Sequence, residues 1–192
     1  MRKFSTDIPE IPGPGFLVID TETTGFQADA RVIELGLVFT DLSGKRQATF
    51  STLLHGDGTC GNHWAQRAHG IRRPDLVGAP SFRSVAPQFA KALKGRVPVA
   101  HKASFDLARI NYELELLGRA PVNRMACTIE MGKWIGYGSM NLAVAIKTLK
   151  LNAVNSHQAE DDSIAASLVL RHYLKNDRDE AFEYLHANGF KV

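Results

Sequence analysis

Cysteine is almost missing from this chain: Cys60 and Cys127 are the only two among 192 residues. One pair cannot build the disulfide framework of a small secreted scaffold, so a reducing cytoplasm is the expected location. Long apolar runs are missing too. None approaches the roughly 18–20 residues that cross a bilayer as a helix, so no membrane association is expected. The opening residues, Met1 to Pro14, include Arg2 and Lys3 but lack an apolar stretch and a small-residue cleavage site, which excludes a typical secretory signal. No repeat or low-complexity tract is present, and neither sign of charge dominates: 23 Lys and Arg stand against 20 Asp and Glu, a net +3. With a pI near 8.9, that excess is compatible with a polyanionic partner without requiring one. What is present, 44% hydrophobic and 22% charged residues, suits one domain with a full core and argues against long disorder.

Pro9, Pro12 and Pro14 with Gly13 and Gly15 mark residues 1–15 as an extended leader, which leaves 16–192 as a single domain. Phe16 to Asp20 (FLVID) is a short β-rich run suited to a central strand, and Gly25 closes the turn after it. Arg31–Asp41 and Gln47–Leu54 predict two more strands, joined through a hairpin at Ser43-Gly44. The middle, 55–80, reads as loop with one short helix around Trp64–Ala68. Helical spacing of Phe82, Val85, Phe89 and Leu93 predicts a helix over Ser81–Lys94. Val97–His101 is a fourth strand, which Pro98 marks as irregular or near an edge. Further helices are expected over Ala103–Leu117, ended by Gly118, over Ser139–Leu149, capped by Ser139, over Ala159–Tyr173 and over Arg178–His186. A short fifth strand is expected near Met125–Thr128. Strands first, then strands alternating with helices, imply an α/β domain: a mixed five-stranded sheet flanked by helices.

The acids carry the chemistry. Side chains alternate along a strand, so Phe16, Val18, Asp20 and Glu22 share one side, and two carboxylates leave the C-terminal end of the first strand together. Alone, such a pair also suits the start of a solvated turn. Asp106, however, lies on the helical stripe of Ile110, Leu114 and Leu117, the face that must be buried. An inward carboxylate is costly unless paired, protonated or bound to metal; the alternative is that Asp106 caps its helix. Asp162 repeats the pattern with Ala165, Ala166, Val169 and Tyr173, whereas Glu160 and Asp161 project elsewhere. The alanines would let this helix lie close against the sheet, and His157 enters it five residues before Asp162. Clustered carboxylates repel and raise one another's pKa, a repulsion that divalent cations remove. Hard oxygen donors suit two Mg²⁺ or Mn²⁺ ions rather than zinc. Such a pair, about 4 Å apart, activates a water and stabilises the leaving oxygen of an in-line displacement at phosphorus. An imidazole, here His157, is the natural general base for that water.

Three segments carry a resemblance: FLVIDTETTG at 16–25, VAHKASFDLARINYELELLG at 99–118 and HQAEDDSIAASLVL at 157–170. In that order, and with RVIELGLVF at 31–39 and RAHGI at 67–71 between them, the chain resembles the DnaQ-like 3′–5′ exonucleases of the DEDDh type, within the ribonuclease H-like fold, over roughly Phe16 to Tyr173. The resemblance implies a metal-dependent phosphodiester hydrolase whose catalytic residues are Asp20, Glu22, Asp106, Asp162 and His157. It implies a 3′ end, single-stranded or frayed and DNA before RNA, bound in the cleft and shortened to nucleoside 5′-monophosphates. Thr23 and Thr24 would lie beside the terminal nucleotide, with His101 and Phe105 as neighbours, although Phe105 suits a core position equally well. The chain is similar to the proofreading exonuclease subunits of bacterial DNA polymerase III. Those usually continue through a flexible C-terminal segment that grips the polymerase; with the sequence ending at Val192 no such tether is evident, and a free-standing enzyme is expected.

Two other readings stay open at this point: an RNA-processing 3′–5′ exoribonuclease, and a non-catalytic module of the same fold that binds nucleic acid or a polymerase. Weaker patterns are set aside. His55, Cys60, His63 and His69 match no tetrahedral zinc spacing and read as a flexible loop near the cleft. Gly136-Tyr137-Gly138 lacks the following Lys and Ser or Thr of a phosphate loop. Lys102, Arg109, Lys133 and Lys147 read as solvated surface within reach of phosphates.

Overall fold

Strand β1 (Gly15–Thr23) is buried on both faces through Ile19, and in the computed structural model, which describes residues 4–27 and 29–192, it is the middle strand of five. The sheet runs β3-β2-β1-β4-β5, where β2 is Val32–Thr40, β3 Arg46–Leu53, β4 Arg96–Ala100 and β5 Ala126–Cys127. The first three strands form the expected antiparallel meander, while β4 joins β1 and β5 joins β4 in parallel. The sheet is therefore mixed and five-stranded, as expected.

Helices cover both faces: α1 (His63–His69), α2 (Phe82–Ala92), α3 (Ala103–Leu116), α4 (Thr128–Ile135), α5 (Leu142–Thr148), α6 (Ala159–Asn176) and α7 (Arg178–Ala187). Alternation along β1 divides the core. Phe16 and Val18 pack with Val169, Leu170 and Tyr173 of α6, whereas Leu17 and Ile19 pack with Val85 and Phe89 of α2 and Ile110 of α3. Among the described residues no helix is long and apolar enough to cross a membrane.

Pro98 sits in an internal strand, yet the edge expectation is locally right. Strand β5 pairs only with Val99 and Ala100, so at Pro98 nothing on that side requires the missing N–H. Residues 4–14 carry no helix or strand, but they are held: Ile8 is buried in the core, and Arg96 Nη2 donates to the Ile11 carbonyl at 3.1 Å. Residues 1–3, including Arg2 and Lys3 of the leader, and residue 28 lie outside the described residues.

Three sequence expectations need correction. Helix α4 was not foreseen; the fifth strand ends at Cys127 and the chain turns helical at Thr128. Helix α5 starts at Leu142 rather than Ser139, and its cap is Asn141, whose Oδ1 accepts from Val144 N at 2.9 Å. The chain stays non-helical through Met140 because that residue's carbonyl is held by His101 Nε2 at 3.0 Å. Arg109 is buried, not solvated. Its guanidinium lies 4.0 Å over the Phe105 ring and donates to the carbonyls of Phe26 and Gln27, bracing the loop after β1.

Candidate active site

Parallel pairing of β1 with β4 ends at Val18–Val99, so residues 20–23 of β1 run on past their neighbour. The space beyond the carboxyl end of parallel strands is where open α/β sheets form their crevices. Here it is a cleft of about 490 Å³ lined by Asp20, Glu22, Asp106, Asp162 and His157, with Thr23 from the strand end. Each sheet face delivers one acid into it from a different helix.

From the first face comes Asp106. It is 4% exposed, and the residues three, four, seven and eight positions on (Arg109, Ile110, Glu113, Leu114) are buried with it. It sits in the first turn of α3 and caps nothing: the N-cap is Lys102. Its Oδ1 instead accepts from Thr21 N at 3.0 Å and Thr21 Oγ1 at 2.8 Å, which pins the carboxylate to β1. From the other face comes Asp162, 5% exposed, on a stripe with Ala165, Ala166, Val169 and Tyr173, all buried. Its oxygens accept from Asn155 Nδ2 at 2.7 Å and Ser156 N at 3.0 Å. Glycine at position 36 makes the close approach of α6 feasible: a Cβ there would stand 2.0 Å from the Ala159 carbonyl oxygen.

Glu22, His157 and Asp162 bring ligand atoms within 4.8 Å of one another. His157 is exposed at the lip of the cleft, and its φ of 53° is left-handed, a conformation a non-glycine residue holds only when its surroundings fix it. The segment before it is held by the bonds of Asn155 and Ser156 to Asp162, together with Ser156 Oγ donating to Asp161 at 2.6 Å. His55, Cys60, His63 and His69 form no comparable group among the described residues.

The electrostatics follow from this crowding. Burial, then the charges of Asp106, Glu22, Asp162 and Glu34, hold the Asp20 carboxyl well above the usual carboxylate range. Burial pushes Asp106 up to about 7 against the lowering effect of its Thr21 bonds. Burial also raises Asp162, opposed by Ser156, Asn155 and the His157 charge. All of these donors are hard oxygens apart from one imidazole, and the repulsion they store is the kind a cation relieves, so the set fits a hard divalent metal ion.

The flanking expectations divide. Thr23 and the half-buried Phe105 line the cleft, with Phe26 edge-on to Phe105 at 6.1 Å. Thr24 does not line it: its side chain accepts from Arg31 N at 2.9 Å and its backbone closes the turn to Arg31 and Asn62. His101 lines the cleft, but both ring nitrogens are engaged. Nε2 faces the Met140 carbonyl and so carries the hydrogen, which leaves Nδ1 to accept from Thr128 Oγ1 at 2.8 Å. Burial lowers its pKa.

Glu34 was missed. It is 3% exposed, sits opposite Glu22 in the β1–β2 register, and its Oε2 accepts from Ala159 N at 3.1 Å, at the start of α6. The signal was available, since a lone charge within VIELGLVF, an otherwise apolar run, must be buried beside something that needs it.

The family model described as Exonuclease, RNase T, matches residues 17–170. The DNA polymerase III subunit epsilon of Treponema pallidum is 34% identical over 157 residues, 77% of this chain and 71% of that protein. The solved E. coli ExoI–ssDNA complex, in its zinc-bound form, is similar with a TM-score of 0.75 at 14% identity, over 90% of this chain and 42% of that one. The nuclease domain of 3′hExo, a DEDDh family member bound to rAMP, gives a TM-score of 0.68 at 16% identity, over 84% of this chain and 92% of that one. The fold is the ribonuclease H-like fold of these exonucleases.

Proposed function

This chain belongs to the exonuclease family and is a 3′–5′ exonuclease, and from that premise we propose that it trims DNA from the 3′ end to nucleoside 5′-monophosphates. Asp20, Glu22, Asp106 and Asp162 would hold two Mg²⁺ or Mn²⁺ ions, with His157 as general base. The observation that carries the reading is the convergence of Asp106 from one face of the sheet and Asp162 from the other on Asp20 and Glu22. No structural requirement of the sheet explains carboxylates placed so close at such electrostatic cost.

Bound divalent cations would neutralise the carboxylates, activate the attacking water and stabilise the leaving 3′ oxygen. His157 would take the proton of that water at a ring nitrogen, and the adjacent Asp162 carboxylate would favour the imidazolium that results. Thr21 and Asn155 hold Asp106 and Asp162 in place through hydrogen bonds, so the constellation is formed before substrate arrives. Thr23, Phe105 and the carbon edge of His101 would meet the terminal nucleotide. Residues 16–192 act as one domain, with the leader packed on it. DNA is favoured because the relative at 34% identity is a subunit of DNA polymerase III, which also puts a replicative polymerase among the proposed partners.

Matched 3′-labelled DNA and RNA oligonucleotides, incubated side by side with Mg²⁺, test this reading. Mononucleotides should appear faster from DNA, and Asp20→Ala and Asp162→Ala should release none while remaining folded. Faster release from RNA would reverse the substrate assignment. Full activity in both variants would remove the catalytic one.

A further inference from the structure

Beside the catalytic cleft lies a second groove of about 630 Å³, between the start of α3, the segment before β5, and α4. The two share a wall: Lys102 lines both. Lys102, Arg124 and Lys133 face this groove against a single acid, Glu130, which is occupied by Lys133 Nζ at 2.8 Å. Arg124 is exposed and held in place by one bond, Nη1 to the Asn188 carbonyl at 3.0 Å. Tyr184 lines the groove, and Trp134, 53% exposed, stands just outside that lining, its ring steeply inclined to Tyr184 with centroids 6.3 Å apart. The catalytic cleft is acidic, so it repels a phosphate backbone except where cations intervene, and the basic groove next to it has the opposite preference.

We propose that this groove carries the single-stranded backbone on the 5′ side of the scissile bond, its phosphates against Arg124, Lys133 and Lys102 and a base stacked on Trp134. The inference rests on the exonuclease reading and adds the path by which the strand leaves the cleft. A basic track with an exposed aromatic face is how proteins hold single strands without reading their sequence. The groove then sets affinity for the polymer, while the cleft sets the chemistry on its last nucleotide.

Two substrates separate the roles. The p-nitrophenyl ester of thymidine 5′-monophosphate fills only the cleft, whereas a labelled oligothymidylate would extend into the groove. Arg124→Ala combined with Lys133→Ala should raise KM for the oligonucleotide about tenfold. The same change should flatten its log–log salt dependence by roughly 0.7 for each phosphate that is no longer neutralised. Hydrolysis of the ester should be unchanged, which also shows that the variant is folded. Lys133→Glu, at an exposed side chain, should raise KM for the oligonucleotide at least as much as the loss of Lys133 alone. An unchanged KM and salt slope for the oligonucleotide would overturn the proposal, and so would equal losses on both substrates. If wild-type protein hydrolysed neither substrate, the exonuclease reading itself would fail and take the groove with it.

Discussion

Replacing Asp106 with Asn should stabilise the metal-free protein while abolishing its nuclease activity. Asp106 is 4% exposed, and burial carries its carboxyl from an ordinary 3.8 up to about 7. The folded state thus holds this proton more tightly than the unfolded chain does. The stability tied to it is fully present below about pH 4 and is lost as pH rises to about 7. At pH 8, a rise of about three units at about 1.4 kcal/mol each makes the ionised group cost on the order of 4 kcal/mol. Water entering the open cleft reduces that to about 2–4 kcal/mol. Asparagine keeps an Oδ1 to accept from Thr21 N and Oγ1, so the pin to β1 survives without the charge. At about 2–4 °C per kcal/mol for a chain of this size, Tm in EDTA at pH 8 should rise by roughly 5–10 °C. Because the wild-type carboxyl is itself protonated in the folded state at pH 5, the gain there should fall to under half. Calorimetric melts of both proteins from pH 5 to 8 would show this. A lower or unchanged Tm for Asp106→Asn at pH 8 would mean that the buried carboxylate carries no such penalty, and the case that burial holds this acid at a cost to the metal-free fold would fail.

The remaining predictions concern the site and its support. His157→Ala should lower the rate of nucleotide release by about 10²–10⁴-fold while Mn²⁺ affinity, read by titration calorimetry, is largely kept; loss of the metal instead would make His157 a ligand. Chelation with EDTA should stop the reaction, and added Mg²⁺ or Mn²⁺ should restore it; activity that survives exhaustive chelation would contradict the carboxylate assignment. Gly36→Ala would set a Cβ 2.0 Å from the Ala159 carbonyl oxygen and 2.9 Å from Ser163 Oγ. It should cost about 1–3 kcal/mol in a thermal melt, and activity should fall further as α6 carries Asp162 away; a variant with wild-type rate and Tm would show that the helix does not press on the strand there.

Much of the site could be read from sequence because its residues break the rules of the elements that hold them. Asp106 and Asp162 sit on apolar helical stripes, and such an anomaly is visible wherever periodicity is clear. Glu34 is a comparable anomaly in a strand, overlooked because its purpose, meeting the first backbone N–H of α6, joins residues 125 apart. Helix α4 escaped for a different reason. It is eight residues long, opens with Thr128 and Ile129, and holds Gly132 at its middle, all weak helix formers. Gly132 is there for packing: a Cβ would stand 2.6 Å from the Tyr173 hydroxyl of α6, a tertiary demand that local propensity cannot reveal. Thr24 shows the same limit, since adjacency to a motif could not say that the turn to Arg31 would occupy its side chain.

Titration of Mn²⁺ into wild-type protein and Asp162→Asn, followed by calorimetry, bears most directly on whether four distant acids form one cation site. Wild type should bind two ions with release of protons near pH 7, as the raised carboxyls ionise, and Asp162→Asn should lose at least one of them. Equal stoichiometry and affinity in the two proteins, or no binding by the wild type, would contradict it.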